Sequence, residues 1–318
     1  MQQHFRLAKG AFKLISALAL LAGLIWLVKP ARLWQALLGV NVAIFGLALL
    51  CGTLSNIMSA ARWAHLARAM GLNAPLQLLI GFYFQGMAAN AFLPGATVGG
   101  DVWRSYRLHR LDNSLLDAGA SVFFERLSGL WVLLLLSLLA VPVSLFWQVL
   151  PDWLHLGRIA ALALYLLALA MLLAVPYVLV HPLLWRWLPL DAARNIAERV
   201  LACLQRLSRR TLQEQLIYSA AVQLLSMSAL YLCARAVGAD ASWLLLAAAA
   251  GPIFLMAALP LGIGGWGTRE LAAVAVLGLA GMRGEQAVAL AVLYGVNATL
   301  QAFAGGLAWW MEHLRREQ

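Results

Sequence analysis

The sequence carries little charge for its length. Only 11% of its 318 residues are Asp, Glu, Lys or Arg, whereas 63% are hydrophobic and the mean hydropathy is +0.82. A soluble domain holds about 25% charged residues, and apolar runs of about 18 residues or more are typical of membrane spans. The composition therefore excludes a soluble core and predicts an all-α, polytopic membrane helix bundle.

Acidic residues are scarcer than basic ones: 13 Asp and Glu stand against 23 Lys and Arg, which gives a formal net charge of +10. A basic chain is often a nucleic-acid binder. Here, however, the basic residues lie between apolar runs, where the positive-inside rule puts them. We therefore expect membrane lipids as partners and no nucleic acid.

The residues of common metal and catalytic sites are also few. Cys51, Cys203 and Cys233 are far apart, and no two of the six histidines are four positions apart, so neither disulfides nor a metal site are expected. The sequence has no ATP-binding Gly-x-x-x-x-Gly-Lys-Ser/Thr loop and no Asp-x-Asp carboxylate pair. These absences predict a protein that is not an enzyme and uses no cofactor.

Long apolar segments fill most of the chain. Spans are expected at 12–28, 36–56, 114–141, 158–180, 213–237 and 285–311, and shorter or broken apolar segments at 76–93, 241–260 and 268–281. With the N-terminus in the cytoplasm, most cationic residues fall on the cytoplasmic side. This predicts cytoplasmic N- and C-termini in the cell inner membrane, and it requires segment 76–93 to enter and leave on one side.

A short helix over 57–70 is expected to extend the second span along the membrane interface. Its apolar face carries Trp63 and Met70, whereas Arg62 and Arg68 point elsewhere.

Two stretches of similar sequence interrupt the apolar segments, one from Asn90 to Arg104 and one from Ala258 to Glu270. Each holds Leu-Pro, then Gly-Gly, then an arginine four residues past the second glycine. Proline and glycine break helices, and broken segments at matching places in two halves of a membrane protein indicate a transporter's substrate site.

This pattern predicts a single transmembrane domain over 1–318. It would contain two inverted-like repeats, 36–141 and 213–311, joined by a basic cytoplasmic loop at 181–212. The broken or re-entrant segments would lie near 76–100 and 241–267.

The chemistry of the broken stretches suits an anion. Helices that begin just after Gly100 and Gly267 would direct free amides at a phosphate, and Arg104 and Arg269 on their first turns would grip it. Glu125 lies inside a span, where it would pair with one of these arginines or form a structural ion pair. The candidate substrate-binding residues are Asn90, Pro94, Gly99, Gly100, Asp101, Arg104, Glu125, Arg126, Gly264, Gly265, Gly267, Arg269 and Glu270.

The two glycine stretches, together with Glu125-Arg126-x-x-Gly129, resemble the lysylphosphatidylglycerol synthase transmembrane-domain family, also called flippase-like membrane proteins. The resemblance implies paired helical repeats with re-entrant segments around a central cavity. In the two-domain members, the multiple peptide resistance factors, the membrane part that this chain resembles flips aminoacylated phosphatidylglycerol. The soluble synthase domain of those proteins is not expected here, so synthase activity is not carried over.

Three functions fit these features. The first is a translocase for a lipid or a lipid-linked head group in the bacterial cytoplasmic membrane, in which Arg104 and Arg269 hold the phosphate. The second is a membrane-embedded transferase that acts on a lipid-linked sugar, with Asp101 and Glu125 as its acid and base. The third is a non-transporting subunit that partners other envelope-biosynthesis proteins.

Overall fold

The computed structural model describes residue 34 and residues 37–92, 97–146, 158–180, 207–259 and 264–317. Within these ranges the chain is a bundle of α-helices without β-strands, which confirms the predicted fold class. The helices are α1 (Val42–Ala69), α2 (Leu76–Phe92), α3 (Thr97–His109), α4 (Leu115–Phe146), α5 (Arg158–Val180), α6 (Arg209–Ala236), α7 (Trp243–Ala258), α8 (Thr268–Leu279) and α9 (Gly284–Glu317).

Four of these helices are long and apolar enough to cross a membrane: α1, α4, α6 and α9. Helix α5 coincides with the predicted segment 158–180, and α2, α7 and α8 coincide with the three shorter segments to within two residues. The predicted span 12–28, most of the basic loop 181–212 and the candidate residue Pro94 lie outside the described residues.

Side chains at the helix ends fix where several helices begin and stop. The side chains of Asn41, Ser208 and Ser242 accept backbone amides at the starts of α1, α6 and α7, which satisfies amides that no helical carbonyl can reach. Gly71 ends α1 with a φ of 83°, a left-handed conformation that glycine adopts without steric cost.

Helices of similar length follow one another in the same order in residues 42–146 and 209–317. Helices α1 to α4 have 28, 17, 13 and 32 residues, and α6 to α9 have 28, 16, 12 and 34. The halves also interlock: α1 packs on α6, α2 packs on α9, and α7 packs on α4. The first short helix of each half, α2 or α7, thus rests on the long last helix of the other half.

Helices α2 and α3 form a hairpin whose two ends are tied together. The Asn73 amide donates to Asn113 Oδ1 at 2.8 Å, and Asn113 Nδ2 donates to the carbonyl of Asn73 at 2.9 Å. Asn113 Nδ2 also donates to the carbonyl of Leu108 at 2.8 Å. The segment therefore runs inward along α2 and returns along α3 to the place where it began.

Apolar side chains cover the outside of the bundle, and several charged side chains lie inside it. Val42 is 78% exposed and Ile217 is 69% exposed, whereas Glu125 and Glu270 are almost completely buried. A protein surrounded by lipid favours this distribution, because its ionisable groups then face partners inside the bundle. The buried charges are therefore the candidates for a functional site.

Candidate functional site

A buried cluster of charges joins helices α1, α3 and α4. The carboxylate of Glu125 accepts a hydrogen bond from Arg62 on one oxygen, and from Arg104 at 2.9 Å on the other. All three side chains are at most 4% exposed. One carboxylate thus holds two guanidinium groups away from solvent.

Neighbouring side chains fix this cluster in place. Arg62 Nη1 donates to Ser219 Oγ of α6 at 3.0 Å. The Arg104 guanidinium lies 4.3 Å from the ring centre of Trp63 and 4.5 Å from that of Tyr83, within cation–π distance. The Trp63 indole in turn donates to the hydroxyl of Ser121 at 3.1 Å.

A second ion pair extends the cluster towards the surface. Arg126 Nε lies 2.7 Å from the Asp101 carboxylate, and Arg104 Nη1 lies 3.7 Å from the same group. The Arg126 side chain is 40% exposed and that of Asp101 is 26% exposed. Among the residues that the structure describes, three guanidinium groups therefore face two carboxylates, and the outer end of the cluster is accessible.

Glycines on adjacent helices make room for the buried arginines. A Cβ on Gly129 would lie 2.8 Å from the Arg62 guanidinium nitrogens, and a Cβ on Gly86 would lie 3.0 Å from Arg104 Cγ. Gly100 approaches the backbone so closely that its Cβ would lie 2.2 Å from the carbonyl oxygen of Gly86. Any side chain at these positions would displace an arginine or separate α2 from α3.

The second broken stretch forms a turn of left-handed glycines. Gly264, Gly265 and Gly267 have φ angles of 59°, 77° and 85°, which residues with a Cβ rarely adopt. Gly267 caps α8, and its amide donates to Glu270 Oε2 at 2.6 Å. The other Glu270 oxygen accepts from Arg269 Nη2 at 2.6 Å, so the helix start and the arginine share one buried carboxylate.

The two breaks meet inside the bundle. A Cβ on Gly264 would lie 3.6 Å from the Cα of Ala91, which is next to the end of α2. Across the first break, the amide of Gly100 in α3 donates to Oδ1 of Asn90 in α2 at 2.6 Å and links the two helices. The turn of the second stretch therefore rests on the end of α2, where the first stretch begins.

The expected pairing between Glu125 and Arg104 is present, but the alternative pairing with Arg269 is wrong, because Arg269 binds its neighbour Glu270. Gly267 does precede a helix, as predicted. The prediction that a helix starts after Gly100 is also wrong, because α3 begins at Thr97 and runs through both glycines.

Arg104 consequently lies in the second half of its helix, whereas Arg269 is the second residue of its own. The close contact between Gly100 and the backbone of α2 explains the earlier start, because it packs this part of α3 as helix. The two copies of the sequence motif are therefore not equivalent in three dimensions.

The sequence analysis missed Arg62. As predicted, residues 57–70 extend the preceding span and form the end of the continuous helix α1, but Arg62 in this extension is only 3% exposed. The sequence feature that could have revealed its burial is the run of small neighbours, Ser59, Ala60 and Ala64, which are buried too. Small residues allow helices to approach closely in membrane proteins, so an arginine among them faces a neighbouring helix.

Polar side chains also join α1 to α6 and α9. Ser55 Oγ lies 2.8 Å from Ser226 Oγ, and Asn56 Nδ2 donates to Gln301 Oε1 at 2.6 Å. Gln223 Nε2 donates to the carbonyl of Gly129 in α4 at 2.9 Å. These bonds hold the halves together around the charged cluster. In the part of the chain that the structure describes, no group of three or more His, Cys, Asp or Glu could hold a metal ion.

The family described as the lysylphosphatidylglycerol synthase TM region matches residues 14–306. The chain belongs to this family. The match includes both broken stretches and the Glu125-Arg126 motif, so the resemblance seen in the sequence is confirmed.

The chain is also similar to a UPF0104 membrane protein of Methanothermobacter thermautotrophicus. It is 22% identical over 157 residues, which are 49% of the present chain and 46% of that protein. The match therefore spans less than half the length of the relative. Both similarities are to membrane proteins, and the description of the family fits a lipid-related role in the membrane.

Proposed function

We propose that the chain translocates an anionic lipid, or the anionic head group of a lipid-linked molecule, across the cell inner membrane. The observation that carries the proposal is the charged cluster of Arg62, Arg104, Arg126, Asp101 and Glu125, whose inner members are buried and whose outer pair, Arg126 and Asp101, is partly exposed. Ionisable residues inside a membrane are costly and usually serve a transport path. Membership of a family with a lipid-related membrane role supports the same conclusion.

Binding would begin at the outer ion pair. Arg126 and Asp101 are the most exposed members of the cluster, so a phosphate reaches them first. The phosphate would take the place of Asp101 on Arg126, and Asp101 would then accept a cationic or hydroxylated part of the head group. Exchange of one partner for another leaves no charge unpaired in a medium where an unpaired charge costs several kcal/mol.

The broken segments would open and close the path. Their tips meet at Gly264 and Ala91, and irregular backbone at membrane depth is tolerated where it lines a cavity. The matching helix lengths of residues 42–146 and 209–317 support two repeats, which we propose to be inverted relative to each other. Both termini would then lie in the cytoplasm.

We favour a translocase without enzymatic activity over a transferase. A transferase needs a carboxyl group free to act as an acid or base. Glu125 is bonded to two arginines, and Asp101 is bonded to Arg126. Because both candidate groups already serve as counter-ions, the geometry suits binding of a charged ligand better than proton transfer.

The test is a flipping assay on the protein reconstituted in liposomes. Its substrates are fluorescent phosphatidylglycerol, aminoacylated phosphatidylglycerol and a polyprenyl-phosphate sugar. We expect one of these lipids to move, and we expect Arg126→Ala to slow it by at least about tenfold, because loss of one charge-assisted contact costs about 1.5–3 kcal/mol.

Arg210→Ala is the matched control. Arg210 is 87% exposed and pairs with Glu214 on the surface of α6, so its removal should leave the rate unchanged. Failure of the wild-type protein to move any of the three lipids would contradict the proposal, and so would an Arg126→Ala variant as fast as the control.

A further inference from the structure

A cavity of about 320 Å³ lies between α2, α3 and α9, apart from the charged cluster. Its aromatic wall consists of Phe82, Trp103, Tyr106 and Trp309. The rings of Trp103 and Trp309 have their centres 4.3 Å apart and are tilted by 39°. None of these residues belongs to the predicted site, and a cavity of about 300 Å³ is at the lower end of the range for small-ligand sites.

The same cavity carries charges of both signs. Arg107 Nη2 donates to Glu312 Oε1 at 2.6 Å, which joins the end of α3 to α9. Arg110, at the rim, is exposed, and its guanidinium makes no ion pair with any residue that the structure describes. The cavity therefore has one arginine already paired and another that is available to an anion.

Hydrogen bonds position the wall of the cavity. Gln85 Oε1 accepts from the Trp103 indole at 3.2 Å, and Gln85 Nε2 donates to Glu312 Oε2 at 3.0 Å. Trp103, Arg107 and Arg110 follow one another at helical spacing, whereas Asp101 and Arg104 point to the charged cluster instead. Helix α3 thus serves two separate polar sites on two of its faces.

We propose that this cavity is a second binding site, which takes the head group of a lipid in which a phosphate carries a hydroxylated ring. Arg110 binds the phosphate as a charge-assisted partner. The faces of Tyr106 and Trp309, which carry partial negative charge, pack on the C–H groups of the ring, since the Arg107 guanidinium already lies 4.4 Å from the ring centre of Phe82 and 5.6 Å from that of Trp103. Glu312 accepts from its hydroxyls. The inference rests on the proposed function, because it names the class of lipid that such a translocase would admit.

The test measures binding and not transport. Purified protein, in a detergent without a sugar head group, is titrated with three lipids and followed by native mass spectrometry. Phosphatidylinositol has a phosphate and a ring, phosphatidylglycerol has a phosphate only, and monoglucosyl diacylglycerol has a ring only. We expect phosphatidylinositol to bind at least about tenfold more tightly than either of the others, because it alone of the three offers both the phosphate and the ring.

Two variants separate the contribution of the phosphate from that of the ring. Arg110→Ala should reduce the affinity for phosphatidylinositol to that for the ring-only lipid, and Trp309→Ala should reduce it to that for phosphatidylglycerol. Arg110 is exposed, so its loss does not threaten folding. Trp310→Ala is the matched control, because Trp310 is 61% exposed and does not line the cavity. Soluble inositol 1-phosphate should displace the lipid.

Equal affinity for the three lipids would overturn the proposal and leave the aromatic residues as ordinary interface anchors. An equal loss in Trp310→Ala, or failure of inositol 1-phosphate to compete, would overturn it as well. The outcome is separable from that of the flipping assay. A protein that flips nothing but ranks the lipids as expected would contradict translocation alone, whereas a flipping protein without this ranking would contradict this site alone.

Discussion

At the scale of single residues, the main feature is the pairing of buried arginines with buried carboxylates. Glu125 holds Arg62 and Arg104, and Glu270 holds Arg269. Removal of one partner from a buried ion pair leaves an uncompensated charge, which costs about 3–5 kcal/mol. The fold therefore depends on these groups before any ligand arrives, and their contribution to transport must be measured in variants that still fold.

We expect Gly129→Ala to destabilise the protein by about 1–3 kcal/mol, because the new methyl group would press on the Arg62 guanidinium in a packed interior. The measurement is the unfolding midpoint in detergent. Gly119→Ala is the control on the same helix, since a Cβ there meets nothing within 4 Å. That change should be neutral or should stabilise α4 by up to about 1 kcal/mol. Equal midpoints for the two variants would contradict the tight fit at Arg62.

At the scale of elements, the α2–α3 hairpin stands out because it returns to its own starting point. Its base is closed by the mutual hydrogen bonds of Asn73 and Asn113. Its tip contacts the second broken stretch at Gly264. A hairpin that is held at its base and makes contact at its tip can pivot as a unit. In the proposed function, this movement would gate the path.

We expect Asn113→Ala to loosen this hairpin without unfolding the bundle. The change removes three hydrogen bonds, two with Asn73 and one with Leu108, and leaves these backbone groups without their partners, at about 1–3 kcal/mol. Hydrogen exchange should become faster in residues 76–109 and stay unchanged in α6. Asn41→Ala is the comparison, because it removes the cap of α1 and should affect only the start of that helix. Uniformly faster exchange would argue against a separate hairpin.

The elements were largely predictable, because helix existence follows from long apolar runs. The positions of both breaks followed from Leu-Pro and Gly-Gly, and α5 coincides with its predicted segment. Whether each Gly-Gly pair precedes its helix or lies within it was not predictable. For the first pair, this depends on the contact of Gly100 with the Gly86 carbonyl, which only the packed hairpin creates.

The site was predictable only in part. Glu125 was identified because charges are rare inside apolar runs, and Arg104 was identified because it follows a Gly-Gly pair at the same spacing as Arg269. Arg62 was missed because a basic residue near the end of a span resembles an interface residue. Its burial depends on Ser219 of α6, which is far away in sequence.

At the scale of the whole molecule, the two halves exchange their contacts: α2 rests on α9 and α7 rests on α4. Neither half therefore completes its packing alone. The approach is close, since a Cβ on Gly305 in α9 would lie 2.0 Å from the carbonyl oxygen of Phe84 in α2. Motion of one short helix must thus be accommodated by the long helix of the opposite half.

If the halves are inverted, the turns that follow α3 and α8 lie on opposite sides of the membrane. Single cysteines are introduced as Asp112→Cys and Arg283→Cys, in a background where the three native cysteines are replaced. An impermeant thiol reagent added to intact cells should label Arg283→Cys only, and Asp112→Cys should react after the cells are opened. Labelling of both positions from the same side would contradict the inverted arrangement.

The fit between glycines and guanidinium groups has an evolutionary consequence. Arg62 faces Gly129, Arg104 faces Gly86, and a Cβ on Gly295 would lie 2.0 Å from Arg269 Nη2. A lineage that first loses the arginine relaxes the constraint on its glycine, which can then acquire a side chain. The reverse order passes through a clash that destabilises the fold. Each arginine is therefore expected to occur together with its glycine, because loss of the arginine alone leaves a buried carboxylate uncompensated and a side chain gained at the glycine alone makes a clash.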